Sequence, residues 1–154
     1  MSEAGVPIWK VQLVREGAVK AERRPVASAE DAAAVVVAAY LNGADREHCV
    51  VVLLDARHKV IGLNTVSIGT VSASLVHPRE VFKPAILANA SAVILAHNHP
   101  SGELEPSEHD VDLTRRLIEA GKLLGIELLD HLILCEGAHL SLRASGKVSW
   151  GRTR

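Results

Sequence analysis

The chain has 154 residues, 48% of them hydrophobic, which suits one domain with its own core and leaves little for a second. Its 17 Lys and Arg against 18 Asp and Glu give a net charge of −1, so composition makes no electrostatic case for a nucleic-acid or membrane partner. Aromatic residues are 3% of the chain, so the core must be built from Val, Leu, Ile and Ala.

The first residues lack the basic-then-apolar order of a signal peptide, and no apolar run approaches a membrane span. The expectation is a soluble, cytoplasmic protein. Cys49 and Cys135, each at the edge of an apolar run, are expected as free thiols of a reducing compartment. Residues 8–14 mostly alternate, with Trp9, Val11 and Leu13 on one face, and predict a short strand. As an exposed edge, that strand could join two copies into a homodimer. After Arg23-Arg24 and Pro25, Ser28 and Asp31 form a capping box for a helix that stops at Asn42-Gly43. Residues 47–55 and 60–69 read as paired strands around the turn 56–59, and 71–76 as a continuation after a kink at Gly69-Thr70. A second helix runs from Pro78 to near Asn89, with Pro84 kinking it or delaying its start. Residues 92–96 are wholly apolar, as a central buried strand should be. A polar loop leads to a third helix, from Ser107 to near Leu124, and residues 126–135 and 138–142 form a closing hairpin.

The order β-α-β-β-α-β-α-β-β predicts an α/β (α+β) sandwich with a mixed, curved sheet rather than a doubly wound parallel fold. It divides the chain into an N-terminal strand and linker (1–27), a metal-binding domain (28–146) and a tail (147–154). In the tail Lys147, Arg152 and Arg154 read as solvated surface.

The chemistry concentrates in His97-Asn98-His99-Pro100-Ser101-Gly102, followed after Pro106 by Ser107-Glu108-His109-Asp110. Side chains two apart on an extended segment share a side, so both imidazoles can face one ion. Asp110 falls in the first turn of a helix, where a carboxylate is favoured. His97, His99 and Asp110 thus offer three ligands and leave a fourth position for water, the pattern of hydrolytic zinc. Ser107 and Asp110 also make a plausible capping box, and capping does not exclude catalysis. The Ser107 hydroxyl could serve an oxyanion. A general base must be a carboxylate near the metal but not on it. Glu47, at the start of a strand, is the first candidate and Glu80 and Glu103 the others; spacing alone does not separate them. Of the other histidines, His109 is the one expected to line the site, and His131 reads as a hydrogen-bonded structural residue.

At these residues the sequence resembles the JAMM (MPN+, JAB) metalloprotease motif: a distant Glu, His-x-His, seven residues, Ser, two residues, Asp. Within that superfamily it resembles the RadC family, through Arg46-Glu47-His48, Val76-His77-Pro78-Arg79-Glu80, Ala88-Asn89-Ala90, His97 to Gly102, Pro106-Ser107 and Leu129-Asp130-His131. The resemblance implies a cytidine-deaminase-like α/β sandwich, zinc on His97, His99, Asp110 and a water, Glu47 as general acid/base and Ser107 as oxyanion helper. Deubiquitinating members have Ser or Thr where this chain has Asn98, so ubiquitin is a poor expectation. Full-length RadC proteins carry an N-terminal helix-hairpin-helix region linked to DNA binding, and no such pair is predicted here.

The leading expectation is a zinc-dependent peptidase or isopeptidase-like hydrolase acting on a peptide or protein. The alternatives are a DNA-repair binding module without catalysis, for which net charge gives no support, and a metal-dependent nuclease. The signatures of nucleoside deaminases and of His-Glu-x-x-His proteases are absent.

Overall fold

A computed structural model describes residues 4–21, 28–69 and 76–151. Eight of the predicted strands and helices recur within a few residues of their expected bounds. Helix α1 (Ala29–Tyr40) starts at Ser28, whose hydroxyl accepts the Asp31 N–H. Strands β1 (His48–Leu54) and β2 (Val60–Ile68) form an antiparallel pair. Helix α2 (Pro78–Leu87) begins at Pro78 and runs through Pro84 without stopping. Proline there removes one helical hydrogen bond. Strand β3 (Ala92–Asn98) extends beyond the expected 92–96 and takes in His97. Helix α3 (Glu108–Leu124) is closed by Gly125 in the left-handed conformation. Strands β4 (Glu127–Cys135) and β5 (Ala138–Ser141) make the hairpin. A one-turn helix, α4 (Leu142–Ser145), follows and was not expected.

The sheet order is β2-β1-β3-β4-β5, antiparallel except for the parallel β3–β4 pair. It is thus a mixed sheet flanked by helices, as expected. Alternation sorts its core onto two faces. Val50, Val52, Leu54, Ile94 and Leu132 pack on α1 through Ala33, Ala34 and Val37. Val51, Leu53, Val93, Leu95 and Ile133 face α2 and α3, where Phe82, Leu113 and Leu117 cover them. Gly121 lets α3 close onto β4: a Cβ there would come within 2.4 Å of the Ile126 carbonyl oxygen.

Two expectations are corrected. Residues 8–14 form no strand, and Ile8 is 99% exposed. Alternation gives a segment a face to bury, but a strand also needs a neighbour for its N–H and C=O groups, and none is beside this one among the described residues. The segment beyond residue 146 is not simply a solvated tail: Val148 is buried, and the Trp150 indole N–H donates to the Leu128 carbonyl at 2.8 Å. Lys147 pairs with Glu105. Arg23, Arg24, Arg152, Arg154 and the expected continuation over 71–75 lie outside the described residues. Among the described residues no helix is long and apolar enough to cross a membrane.

Candidate metal centre

The sheet brings the candidate residues to one end. In the β1–β3 pair Cys49 sits opposite His97, so Glu47, just before β1, lies beside the end of β3. Asn98 fixes that approach: its Oδ1 accepts the His48 N–H at 2.6 Å, and its Nδ2 donates to the Arg46 carbonyl at 2.9 Å. Glu47 is held between the two, and its own carbonyl accepts the Gly69 N–H at 2.7 Å. Beyond β3 the chain turns at Gly102, with φ of +86°, and its N–H returns to the His99 carbonyl. It then enters α3, where Ser107 and Asp110 form a complete capping box. The Ser107 hydroxyl accepts the Asp110 N–H at 3.1 Å, and Asp110 Oδ2 accepts the Ser107 N–H at 2.8 Å.

His97 Nε2 and His99 Nε2 lie 2.9 Å apart. Asp110 Oδ1 is 3.4 Å from His97 Nε2, and Oδ2 is 3.8 Å from His99 Nε2. Glu47 Oε1 is 4.0 Å from the first nitrogen and 3.7 Å from the second. Glu47, His97 and His99 therefore make one group that could hold a metal ion. Asp110 stands beside the same histidines but meets them through different oxygens, Oδ1 towards His97 and Oδ2 towards His99. Burial, with the Asp110 and Glu47 charges behind it, pushes the Cys49 thiol up and leaves it a protonated core residue.

The donor set fits a cation. His99 Nδ1 lies 2.7 Å from the Glu103 carbonyl, which can only accept, so the ring proton sits on Nδ1 and a neutral His99 turns a lone pair inward from Nε2. That lone pair meets a second imidazole nitrogen and two carboxylates. Such a cluster repels itself unless positive charge sits among its members. A tetrahedral ion with bonds of about 2.0–2.1 Å spaces its ligands about 3.3 Å apart. The contacts of His97 Nε2 with His99 Nε2 and with Asp110 Oδ1, at 2.9 and 3.4 Å, lie near that spacing, and His99 meets the other Asp110 oxygen at 3.8 Å.

The structure thus brings Glu47, His97, His99 and Asp110 together and places Ser107 one helical turn from them. Glu80 is elsewhere, exposed on α2 and bonded to Lys83, which lowers its carboxyl. Glu103 enters only through its carbonyl. His109 is exposed, because neighbouring residues on a helix point about 100° apart. Sequence reasoning gave no role to Thr114. It is fully buried and bridges the Asp110 carbonyl and His131 Nδ1, and His131 Nε2 in turn meets His97 Nδ1. Burial holds His131 well below the ordinary imidazole range and keeps it neutral. No motif spacing connects these residues. For Thr114 the one signal was a polar residue among apolar ones on α3, whereas His131 is hydrogen-bonded, as expected.

Comparison with known proteins agrees with this geometry. A family described as RadC-like JAB domain matches residues 26–147. A UPF0758 protein of Rubrobacter xylanophilus is 59% identical over 102 residues, 66% of this chain and 44% of that protein. Another, from Caldanaerobacter subterraneus, is 52% identical over 101 residues, 66% of this chain and 43% of its own. A third, from Desulforamulus reducens, is 43% identical over 134 residues, 87% of this chain and 59% of its own. The chain spans about half the length of the curated relatives it matches. With the match covering the sheet, the helices and every residue of the centre, the chain belongs to the RadC-like JAB domain family.

Proposed function

We propose that this chain is a zinc-dependent hydrolase that cleaves a peptide or isopeptide bond in a protein or peptide substrate. The observation that carries the reading is the convergence of two imidazoles with two carboxylates in unlike surroundings. The Asp110 side chain is 3% exposed and pinned by the Ser107 N–H, as a metal ligand should be. The Glu47 side chain is 26% exposed, as a base that meets water should be, and it stands farther than Asp110 from His97 Nε2, at 4.0 against 3.4 Å, though level with it at His99. In this reading His97, His99 and Asp110 hold the zinc and Glu47 stays off it.

Zinc, when bound, supplies Lewis acidity, polarising a carbonyl and making water nucleophilic near neutral pH. Glu47 takes the proton of the attacking water and returns it to the leaving amine. The Ser107 oxygen already accepts from the Asp110 N–H, so its own proton remains for the oxygen that gains charge. One such donor is worth about 3–4 kcal/mol to the transition state. The free thiols Cys49 and Cys135 support a reducing, cytoplasmic setting.

The test is elemental analysis of the purified protein, wild type beside Asp110→Ala and His99→Ala, followed by digestion of labelled casein. Near-stoichiometric zinc in the wild type and little in either variant is expected, with Glu47→Gln keeping zinc and losing digestion. A wild type that takes up no zinc overturns the reading. So does Glu47→Gln with wild-type digestion.

A further inference from the structure

We propose that Thr114 and His131 are positioning residues that fix the tautomer of His97, placing its proton on Nδ1 so that the Nε2 lone pair faces His99 and Asp110. The purpose of this device rests on the metal-centre reading above; its geometry rests on counting protons along one buried chain of contacts.

The chain starts at the Asp110 carbonyl, 2.6 Å from Thr114 Oγ1. A carbonyl oxygen can only accept, so the single hydroxyl proton of Thr114 is committed to it. The same Oγ1 lies 2.7 Å from His131 Nδ1 and has no second proton, so Nδ1–H of His131 must donate. A neutral His131 with its proton on Nδ1 presents a lone pair at Nε2. His97 Nδ1 lies 2.8 Å from that atom and donates to it. His97 Nε2 is then left as an acceptor, which is what a metal needs.

Running the chain the other way fails at its origin. Thr114 would donate to His131, and two oxygens 2.6 Å apart would face each other with no proton between them. Thr114, His131 and His97 are each fully buried, so water cannot substitute for a missing partner.

His97 needs such a device because its surroundings favour the wrong tautomer. Nε2 faces Asp110, His99 and Glu47, each of which could accept a proton from it. A His97 protonated there would satisfy itself inside the centre and offer no lone pair. The acceptor at His131 Nε2 draws the proton to the far side of the ring. Since the chain ends on the main chain of Asp110, the helical turn that carries one carboxylate also orients the imidazole beside it. Asp110 and Thr114 are four apart on α3, and His131 sits on β4 opposite Leu95, two residues back from His97 on the same face.

The test uses Thr114→Val, which keeps shape and removes the hydroxyl, and Thr114→Ser, which restores it. Zinc affinity is read by competition with a chromophoric chelator, and the tautomers by nitrogen–proton correlation of the histidine rings. Loss of an outer partner of this kind weakens metal binding about 10–100-fold, so Thr114→Val and His131→Phe should each fall in that range. Thr114→Ser should bind close to wild type. The double variant should be no weaker than His131→Phe alone, because the contacts act in series. Wild-type His131 should carry its proton on Nδ1. Wild-type zinc affinity in Thr114→Val, or a His131 protonated at Nε2, overturns the proposal. If His131→Phe does not fold, the Val and Ser pair decides. If the wild type binds no zinc, the hydrolase reading fails, while the ring spectrum of the metal-free protein still decides the His131 tautomer.

Discussion

Replacing Asn98 by alanine removes two hydrogen bonds at once, both to the main chain that flanks Glu47. They are the 2.6 Å bond from the His48 N–H and the 2.9 Å bond to the Arg46 carbonyl. A typical intramolecular hydrogen bond is worth about 0.5–1.5 kcal/mol net, so the pair holds residues 46–48 with about 2 kcal/mol. The loss should stay local. From Cys49 onward β1 is paired on both sides, to β2 and to β3, and the Gly69 N–H still donates to the Glu47 carbonyl. The direct assay is hydrogen exchange at the His48 amide, which about 2 kcal/mol would speed about 30-fold. Amides of Val51 and Leu95 should exchange at wild-type rates, because the ladders that protect them are untouched. Zinc affinity should hold, since the proposed ligands sit at the end of β3, just beyond it and on α3, while any activity that needs Glu47 should fall. Asn98→Ser should behave similarly, because one short hydroxyl cannot reach both main-chain groups. A His48 amide as well protected in Asn98→Ala as in the wild type refutes the idea that Asn98 clamps Glu47 in place.

Other perturbations separate the fold from the centre. Gly121→Ala gains about 1 kcal/mol of helix propensity but drives a Cβ against the main chain of β4, and overpacking of that kind costs about 1–3 kcal/mol. The urea midpoint should drop at unchanged slope, and a rise would mean that α3 and β4 are loosely apposed. Chelation from a zinc level 100-fold above Kd should remove about 2.7 kcal/mol, or about 5–11 °C of Tm, with the circular dichroism at 25 °C retained. Global unfolding on chelation would show instead that the metal holds the core together. Burial raises the Asp130 carboxyl, although the Ser141 hydroxyl and the Arg143 and His131 N–H groups oppose the shift. A raised acid contributes stability below its unfolded pKa of about 3.9 and loses it as pH climbs through the folded value. The stability of Asp130→Asn relative to the wild type should therefore rise as pH climbs above about 4 in urea titrations, and a wild type that gains on the variant over that climb would contradict the assignment.

Much of the fold could be read in the residues because the core is made of strong patterns. The run from Cys49 to Leu54 is buried on both faces, and its unbroken apolar character announces a central strand. Ser28 and Ser107 mark helix starts by chemistry rather than by statistics, since each supplies an acceptor for an otherwise orphaned N–H. The failures share a cause. Residues 8–14 carry a strand's alternation, but alternation describes a side-chain surface and says nothing about a partner for the backbone. The four residues of α4 are too few to show a period, and it is Ser141 and Gly146 at its ends that define it. Val148 and Trp150 follow a stretch of charged and small residues, and only the packed structure reveals where they go.

The centre divides along the same line. His97, His99 and Asp110 show in the sequence because a strand end, one loop and a helix start hold them together, so chain spacing stands in for distance. Glu47 is 50 residues from His97, and nothing local to it says that it belongs. Its place follows from the antiparallel β1–β3 register and from Asn98, the residue between the two histidines, which reaches across to grip it. Thr114 and His131 are hidden more deeply, because each would be unremarkable if the strand order were different. It is the parallel pairing of β3 with β4, under α3, that sets His131 behind His97 and Thr114 behind His131. Ligands leave a record in linear spacing, whereas the groups that orient them leave theirs in topology. A chain that kept His-x-His, Ser and Asp but lost the β3–β4 pairing would keep the motif and lose the buried contact of His131 with His97 on which the proposed orientation of that imidazole depends.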